Sequence, residues 1–296
     1  MPRPAEGAAA TGWVAAAPAL FVLIWSTGFV VARYGMPYAP PLGFLAVRYA
    51  LSVLLFLVWV RAARARWPRG AAQWGHLAVT GVLMHAGYLG GVWSAVKLGM
   101  GAGTVALIVG LQPLLTAIWI AGRGHEQVRA RQWLGLVLGL SGLILVVERK
   151  LGAGEVGLAS LALALLALGS ITSGTLYQKR HVAPGDVRTA NTVQLMAALL
   201  VTAPLAWLET GGMQWHAELV GAMAWSVLVL TLGGSSLLTL LIQRGAATRV
   251  TSLLYLVPPC TAVLAWLLFR EPLTPSVLAG IALAALGVSL VVRNSR

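Results

Sequence analysis

The chain has 296 residues, of which 58% are hydrophobic and only 10% charged, far below the roughly 25% charge of a soluble domain. So apolar a chain cannot cover itself with polar surface in water, which excludes a soluble globular fold and makes lipid its solvent. The formal net charge of +13 does not point to nucleic acid, because the basic residues lie in short segments between apolar runs, the pattern of cytoplasmic loops in membrane proteins.

A spanning helix needs roughly 20 apolar residues. Apolar runs between charged or Pro/Gly punctuation predict ten spans: 13–32, 41–60, 74–96, 103–121, 131–148, 156–178, 187–208, 218–243, 248–269 and 275–292. No stretch remains for a separate soluble domain. The first run is too long for a signal-peptide core and reads as a retained span; Trp25, Ser26 and Thr27 form a polar-aromatic notch in it. In the second, Arg48 lies roughly 12 Å down at about 1.5 Å per residue, where a charge is expensive unless paired or facing water. It suits either a fork for a substrate carboxylate or an anchor on carbonyls freed by prolines. His85 sits in mid-span in the third, with Tyr88 on the same face; it is either a group that titrates during a transport cycle or an interhelical hydrogen-bond partner.

In the fourth span Pro113 removes an amide and exposes the carbonyl of Val109, and Gln112 places an amide beside it. In the sixth, Ser173 and Tyr177 share a face with each other; in the seventh, Asn191 and Gln194 do. Ser235 and Ser236 follow in the eighth. In the ninth, Pro258 and Pro259 expose the carbonyls of Leu254 and Tyr255. Gly87, Gly90, Gly91, Gly233 and Gly234 read as close-packing positions. A single hydroxyl in such a helix is ordinary interhelical glue. Taken together, Trp25, Ser26, Thr27, Arg48, His85, Tyr88, Gln112, Ser173, Tyr177, Gln194, Ser235 and Tyr255 are expected to line one substrate cavity, with Pro113, Pro258 and Pro259 as the helix breaks that gate it.

With both termini on the cytoplasmic side, the inside segments hold 15 basic residues and the outside segments 5, with Arg48 alone in a span, which supports that orientation. The eight acids, Glu6, Glu126, Glu148, Glu155, Asp186, Glu209, Glu218 and Glu271, all fall in loops or near span ends. A carboxylate proton relay therefore lacks its parts, leaving exchange, facilitated flux or coupling through His85. No nucleotide loop, HExxH motif or paired acidic cluster calls for a cofactor or metal, and the one cysteine, Cys260, cannot form an internal disulfide.

An internal repeat is the most specific signal. Shifted by 145 residues, 101–147 matches 246–292 at 13 of 47 positions without a gap. Pro113 falls on Pro258, Thr116 on Thr261, Glu126 on Glu271, Gly135 on Gly280 and Gly142 on Gly287. The preceding part matches more weakly, at a shift of 146. Halves 1–150 and 151–296 would each hold five helices, an odd number, so the second enters the membrane upside down. Inverted repeats of this kind let one midplane site open to either side in turn.

These residues resemble the EamA family of the drug/metabolite transporter superfamily. Trp25-Ser26-Thr27-Gly28-Phe29 with Arg33, the run from Pro41 to Arg48, and in each half a Pro-containing helix leading to a Glu and a Gly-rich helix carry the likeness: Pro113, Glu126, Trp133-Leu134-Gly135, then Pro258, Glu271-Pro272-Leu273-Thr274, Gly280. The first-half loop Gly122 to Gln127 departs from it in being more basic. The resemblance implies an all-α membrane protein of ten helices in two inverted five-helix repeats, in a bacterial inner membrane. It implies export of small metabolites, often amino acids or related compounds, and no enzyme activity. The partners expected are a small-molecule substrate and the lipid bilayer. A carrier or flippase for lipid-linked or cationic amphiphilic compounds is the alternative, on the aromatics Trp25, Tyr88 and Tyr255. A membrane-embedded transferase would need an acidic or metal constellation that the scattered acids do not offer.

Overall fold

The computed structural model describes residues 7–122, 130–152, 156–234, 237 and 256–292. Among them every regular element is helical. In chain order these are α1 (Gly7–Gly35), α2 (Pro41–Ala62), α3 (Ala71–Gly81), α4 (Tyr88–Lys97), α5 (Ala102–Val109), α6 (Gln112–Gly122), α7 (Ala130–Gly152), α8 (Leu158–His181), α9 (Val187–Ala206), α10 (Ala217–Ala224), α11 (Val257–Phe269) and α12 (Pro275–Val292). Among the described residues three helices are long and apolar enough to cross a membrane: Pro41–Ala62, Leu158–His181 and Val187–Ala206, with mean hydropathy 2.1, 1.7 and 1.3.

Helix α2 shows which solvent the fold is built for. Its outward face carries Leu54 at 59% and Val58 at 68% exposure, while Arg48 at 7% and Ser52 at 0% point inward. In water that arrangement would be inside out; in lipid, polar groups gather on the bundle interior.

Two of the expected spans are not plain α-helices. The third is α3 and α4 joined by a π-helical segment, Val82–Gly87, and the eighth passes from α10 into a second one, Trp225–Gly233. Shifted by 145, 82–87 becomes 227–232, inside the second segment. Hydrophobic periodicity carries no signal for such a bulge, so the sequence reading missed both. The fourth expected span is broken at Gly110-Leu111, one residue ahead of Gln112-Pro113. There the Leu111 amide bonds back to Ile108 O at 3.1 Å, a tightened turn.

Helices α7 and α12 pack through glycine, with Cβ positions that backbone fills. A Cβ on Gly142 would lie 2.5 Å from Gly280 O and 3.0 Å from Ala284 N. One on Gly287 would strike Gly135 O and lie 2.6 Å from Gly139 N. Residue numbers rise along one helix as they fall along the other, so the pair is antiparallel. The contacts are also reciprocal under the 145-residue shift: Gly142 meets Gly280, and their counterparts Gly287 and Gly135 meet in turn. Helices α5 and α11 likewise run oppositely, Gly103 against Ala262 and Gly110 against Pro258. Elsewhere Gly87 and Gly91 bear tight crossings onto Ser170 and Leu163 of α8, as expected, whereas Gly233 and Gly234 have no foreign backbone against them among the described residues.

Connections sort to two ends of the bundle. At one, Lys97 Nζ donates to Met36 O at 2.7 Å, and Gln214 N to Tyr38 O at 2.8 Å. There too the carboxylate of Glu209 accepts from Leu42 N (3.0 Å) and Gly43 N (2.8 Å), satisfying the first turn of α2 behind Pro41, and Glu271 accepts from Ala102 N at the start of α5 (3.0 Å). These acids sit at helix N-termini, where the free amides and the dipole favour negative charge. At the other end, the segments following α2 and α8 meet.

Asp186 caps α9 there. It accepts from Arg188 N at 2.9 Å and from the Arg188 guanidinium at 2.9 and 2.6 Å. The Arg188 hydrogen bonds hold its carboxyl below the usual carboxylate range. A depressed carboxyl pKa stabilises the folded state above the unfolded value near 4 and loses that contribution as pH falls through the folded value. Asp186→Asn should therefore cost stability at pH 7, by at most about 1 kcal/mol for a solvent-screened pair, and the gap to the parent protein should close on acidification below about pH 4. Thermal melting of both proteins across pH 3–7 measures this.

Candidate functional site

The bundle interior brings Arg48 against the second π segment. Its Nε and Nη2 donate to Thr231 Oγ1 at 3.3 and 3.2 Å, and that hydroxyl donates to Ser226 O at 2.8 Å. A Thr at 231 reaches the carbonyl five residues back because the segment is π-helical. The guanidinium lies 6.0 Å from the Trp93 ring centroid, and Trp93 stacks on Phe44 at 4.4 Å. A guanidinium has five N–H donors; Thr231 takes two, and no carboxylate lies against Arg48 among the described residues. Tyr49, Tyr88 and His85 are its titratable neighbours.

Beside it, Tyr49 donates to the His85 carbonyl at 2.9 Å, with the two rings edge to face at 6.1 Å. His85 lies in the first π segment, with the Gln194 side chain beside it. That contact depends on Gly81, one turn earlier: a Cβ there would strike Gln194 O and lie 2.5 Å from Gln194 Cα. Both π segments thus face Arg48 or its neighbours. Such bulges free backbone groups and recur at functional sites.

Two hydroxyls complete the cluster. Ser52, one turn on from Arg48, and Ser226, whose carbonyl holds Thr231, are fully buried and have no hydrogen-bond partner among the described residues. A buried hydroxyl left unpaired costs about 1–3 kcal/mol. Serines in helices ordinarily bond the carbonyl a turn back, as Ser26 and Thr172 do here. The arrangement offers a planar cationic fork, two unengaged hydroxyls and an aromatic wall in a buried interior, which is the chemistry of carboxylate recognition.

Of the residues expected from sequence, the structure brings Arg48, His85, Tyr88 and Gln194 together. Thr27 is one link away: its hydroxyl accepts from Trp225 Nε1 at 2.9 Å, the residue before Ser226. Ser26 bonds Val22 O at 2.8 Å and ties α1 to α11, with Thr261 Oγ1 donating to Ser26 O at 3.4 Å. Trp25 packs on Phe21. Gln112 donates to Thr175 at 3.0 Å, and Ser173 bonds Gly169 O on its own helix. Tyr177 lies in a different cluster, hydrogen-bonded to His76 Nδ1 at 2.9 Å and stacked on His181 at 4.4 Å. Pro113 follows the break before α6; Pro258 and Pro259 start α11, Pro258 against Gly110. Ser235 and Tyr255 lie outside the described residues. Sequence reasoning missed Tyr49, Trp93, Ser226 and Thr231. Single aromatics and hydroxyls in apolar runs, they carried no signal beyond Tyr49 standing next to Arg48.

Among the described residues no three His, Cys, Asp or Glu side chains gather as a metal site. A solved crystal structure superposes with a TM-score of 0.63 at 18% identity, covering 96% of this chain and 99% of that one, which shows a shared fold. "Uncharacterized transporter YvbV" of Bacillus subtilis (strain 168) is 28% identical over 284 residues, 94% of this chain and 91% of that protein. A "Probable amino-acid metabolite efflux pump" of Salmonella typhimurium is 25% identical over 287 residues, 94% of each. The EamA-like transporter family matches twice, over residues 12–148 and 158–293, and with both halves of the chain so accounted for, this protein belongs to that family of integral membrane transporters.

Proposed function

We propose that the protein is a secondary carrier that exports small carboxylate-bearing metabolites, amino acids foremost, by alternating access around Arg48. The observation that carries this reading is a buried guanidinium with unengaged donors and no carboxylate against it among the described residues. A buried charge of this kind is costly alone and is balanced when an anionic substrate enters. The printed name of the Salmonella relative, an amino-acid metabolite efflux pump, agrees with it.

Alternating access needs two related halves in opposite senses: ten spans in two five-helix repeats, 1–150 and 151–296, in the inner membrane with both termini cytoplasmic. The double family match, the reciprocal contacts of α7 with α12 and the π segments at equivalent positions support that arrangement. In this cycle the π segments are the elements that shift, and Thr231 and His85 report the movement to the site. A cationic amphiphile is disfavoured as cargo, because Arg48 would repel it.

The test is counterflow in proteoliposomes with a panel of labelled amino acids, dicarboxylates and organic cations. Saturable exchange of at least one carboxylate compound, lost when its carboxylate is esterified, is the expected result. Exchange of cations alone, or of nothing in the panel, would overturn the proposal. Ser52→Ala and Ser226→Ala should each raise the half-saturating concentration about 10- to 100-fold, since a hydrogen bond to a charged group contributes about 1.5–3 kcal/mol.

A further inference from the structure

An open groove lies away from Arg48, at the end of the bundle where α2 stops and α9 begins. It encloses about 650 Å³ between residues 63–69 and 183–190, within the range of small-molecule sites. Arg64, Arg66, Arg69 and Arg188 line it, against Asp186 as the one acid. That acid is fully engaged: both its oxygens accept from Arg188. Arg64, Arg66 and Arg69 have no carboxylate partner among the described residues.

A sorted excess of arginine is what topology alone asks of such loops, and loops serving only that end would leave their charges apart and solvated. These do not. Gln73 Nε2 donates to Ala183 O at 3.2 Å, and Ala183 N to Gln73 Oε1 at 3.3 Å, so one side chain latches the two walls in both directions. Thr189 Oγ1 donates to Arg66 O at 3.1 Å, fixing the backbone of the arginine segment against α9. Trp74 Nε1 holds Pro68 O at 3.1 Å while its ring stacks on Trp67 at 5.6 Å. Trp59 lies under Arg188 at 5.7 Å. The walls are preorganised, the arginines line one groove, and tryptophans mark the height of a membrane interface.

We infer that this groove is an anion site that binds a phosphate group, with Arg66 and Arg69 as its principal forks and Arg64 beside them. Arginine presents paired donors that match phosphate oxygens, and such pairs are among the strong hydrogen bonds. The phosphate belongs to an anionic lipid headgroup or to a soluble phosphate compound; the chemistry is common to both. The site is separate from the Arg48 cluster and does not depend on what that cluster carries.

The test uses the full chain in neutral detergent at physiological salt, with Trp fluorescence reporting from Trp67 and Trp74. Probes are short-chain phosphatidylglycerol, short-chain phosphatidylcholine and inorganic phosphate. Saturable binding of phosphatidylglycerol or phosphate but not phosphatidylcholine is expected, weakened about tenfold in R66Q/R69Q. R149Q/R270Q removes the same charge elsewhere and should bind as the parent does; R66K/R69K, charged but without forks, should fall between. Phosphatidylglycerol alone binding identifies a lipid site; inorganic phosphate binding as well identifies the phosphate as sufficient. Equal weakening in R66Q/R69Q and R149Q/R270Q would mean diffuse charge attraction and overturn the inference, as would no preference for anionic probes in the parent protein. The parent measurement stands even if R66Q/R69Q fails to fold.

Discussion

Arg48→Ala is expected to lower carboxylate exchange in proteoliposomes by about 100-fold or more. The estimate follows from magnitudes: truncating one partner of a buried hydrogen-bonded charge pair costs about 2–5 kcal/mol, and each 1.4 kcal/mol is a factor of ten. Arg48→Lys should recover only part of the activity. It keeps the charge, but an ammonium cannot span Thr231 and a substrate carboxylate with one planar fork. The competing role for Arg48, a tie between α2 and the second π segment through Thr231, makes a different forecast. If the tie were all that mattered, Thr231→Ala would match Arg48→Ala in both melting temperature and exchange. Substrate recognition demands instead that Thr231→Ala retain much of the exchange while Arg48→Ala loses it at equal folded yield. Parallel losses in the two variants would remove Arg48 from the binding role.

Gly81→Ala is expected to reverse the usual effect of that substitution. In a helix interior, alanine in place of glycine is ordinarily favourable by about 0.5–1 kcal/mol. At Gly81 the added methyl group meets the backbone of Gln194, its carbonyl and its Cα at 2.5 Å. Backbone on a neighbouring helix cannot rotate aside as a side chain can. Overpacking of this kind costs about 1–3 kcal/mol or more, which outweighs the propensity gain. The variant should melt lower and bind substrate more weakly, because α9 must move away from α3 and take Gln194 from His85. Gly169→Ala on α8, where no described residue lies within 4 Å of the new methyl group, is the matched control and should be neutral or mildly stabilising. If both variants melt like the parent protein, the close crossing of α3 and α9 is not a feature of the folded protein. Gly287→Ala extends the same logic to the α7–α12 pair, where the obstruction is Gly135 O and Gly139 N.

These two expectations differ in how far each was readable beforehand. Arg48 announced itself, because a lone cation eight residues into an apolar run is costly wherever the helices pack. Gly142, Gly280 and Gly287 stood out beforehand as matched positions of the repeat, but not as the place where two helices cross. Gly81 did not stand out at all. Nothing local distinguishes it from Gly169; the difference lies in a helix more than a hundred residues further along the chain.

The amino-acid sequence by itself determined that the chain is helical and lives in lipid, that its halves are related, and that Arg48, His85, Tyr88 and Gln194 are polar groups needing partners. Each follows from composition, periodicity or the cost of burying a charge, quantities that belong to a segment and survive any packing. Only the tertiary structure decided what the partners are. It set Thr231 and Trp93 around Arg48, sent Tyr177 to His76 and Gln112 to Thr175, and put π turns at equivalent places in the third and eighth helical runs. Those outcomes depend on which helix faces meet and how closely, and in lipid that is settled by glycine crossings and interhelical hydrogen bonds between residues far apart in sequence, which no local pattern encodes.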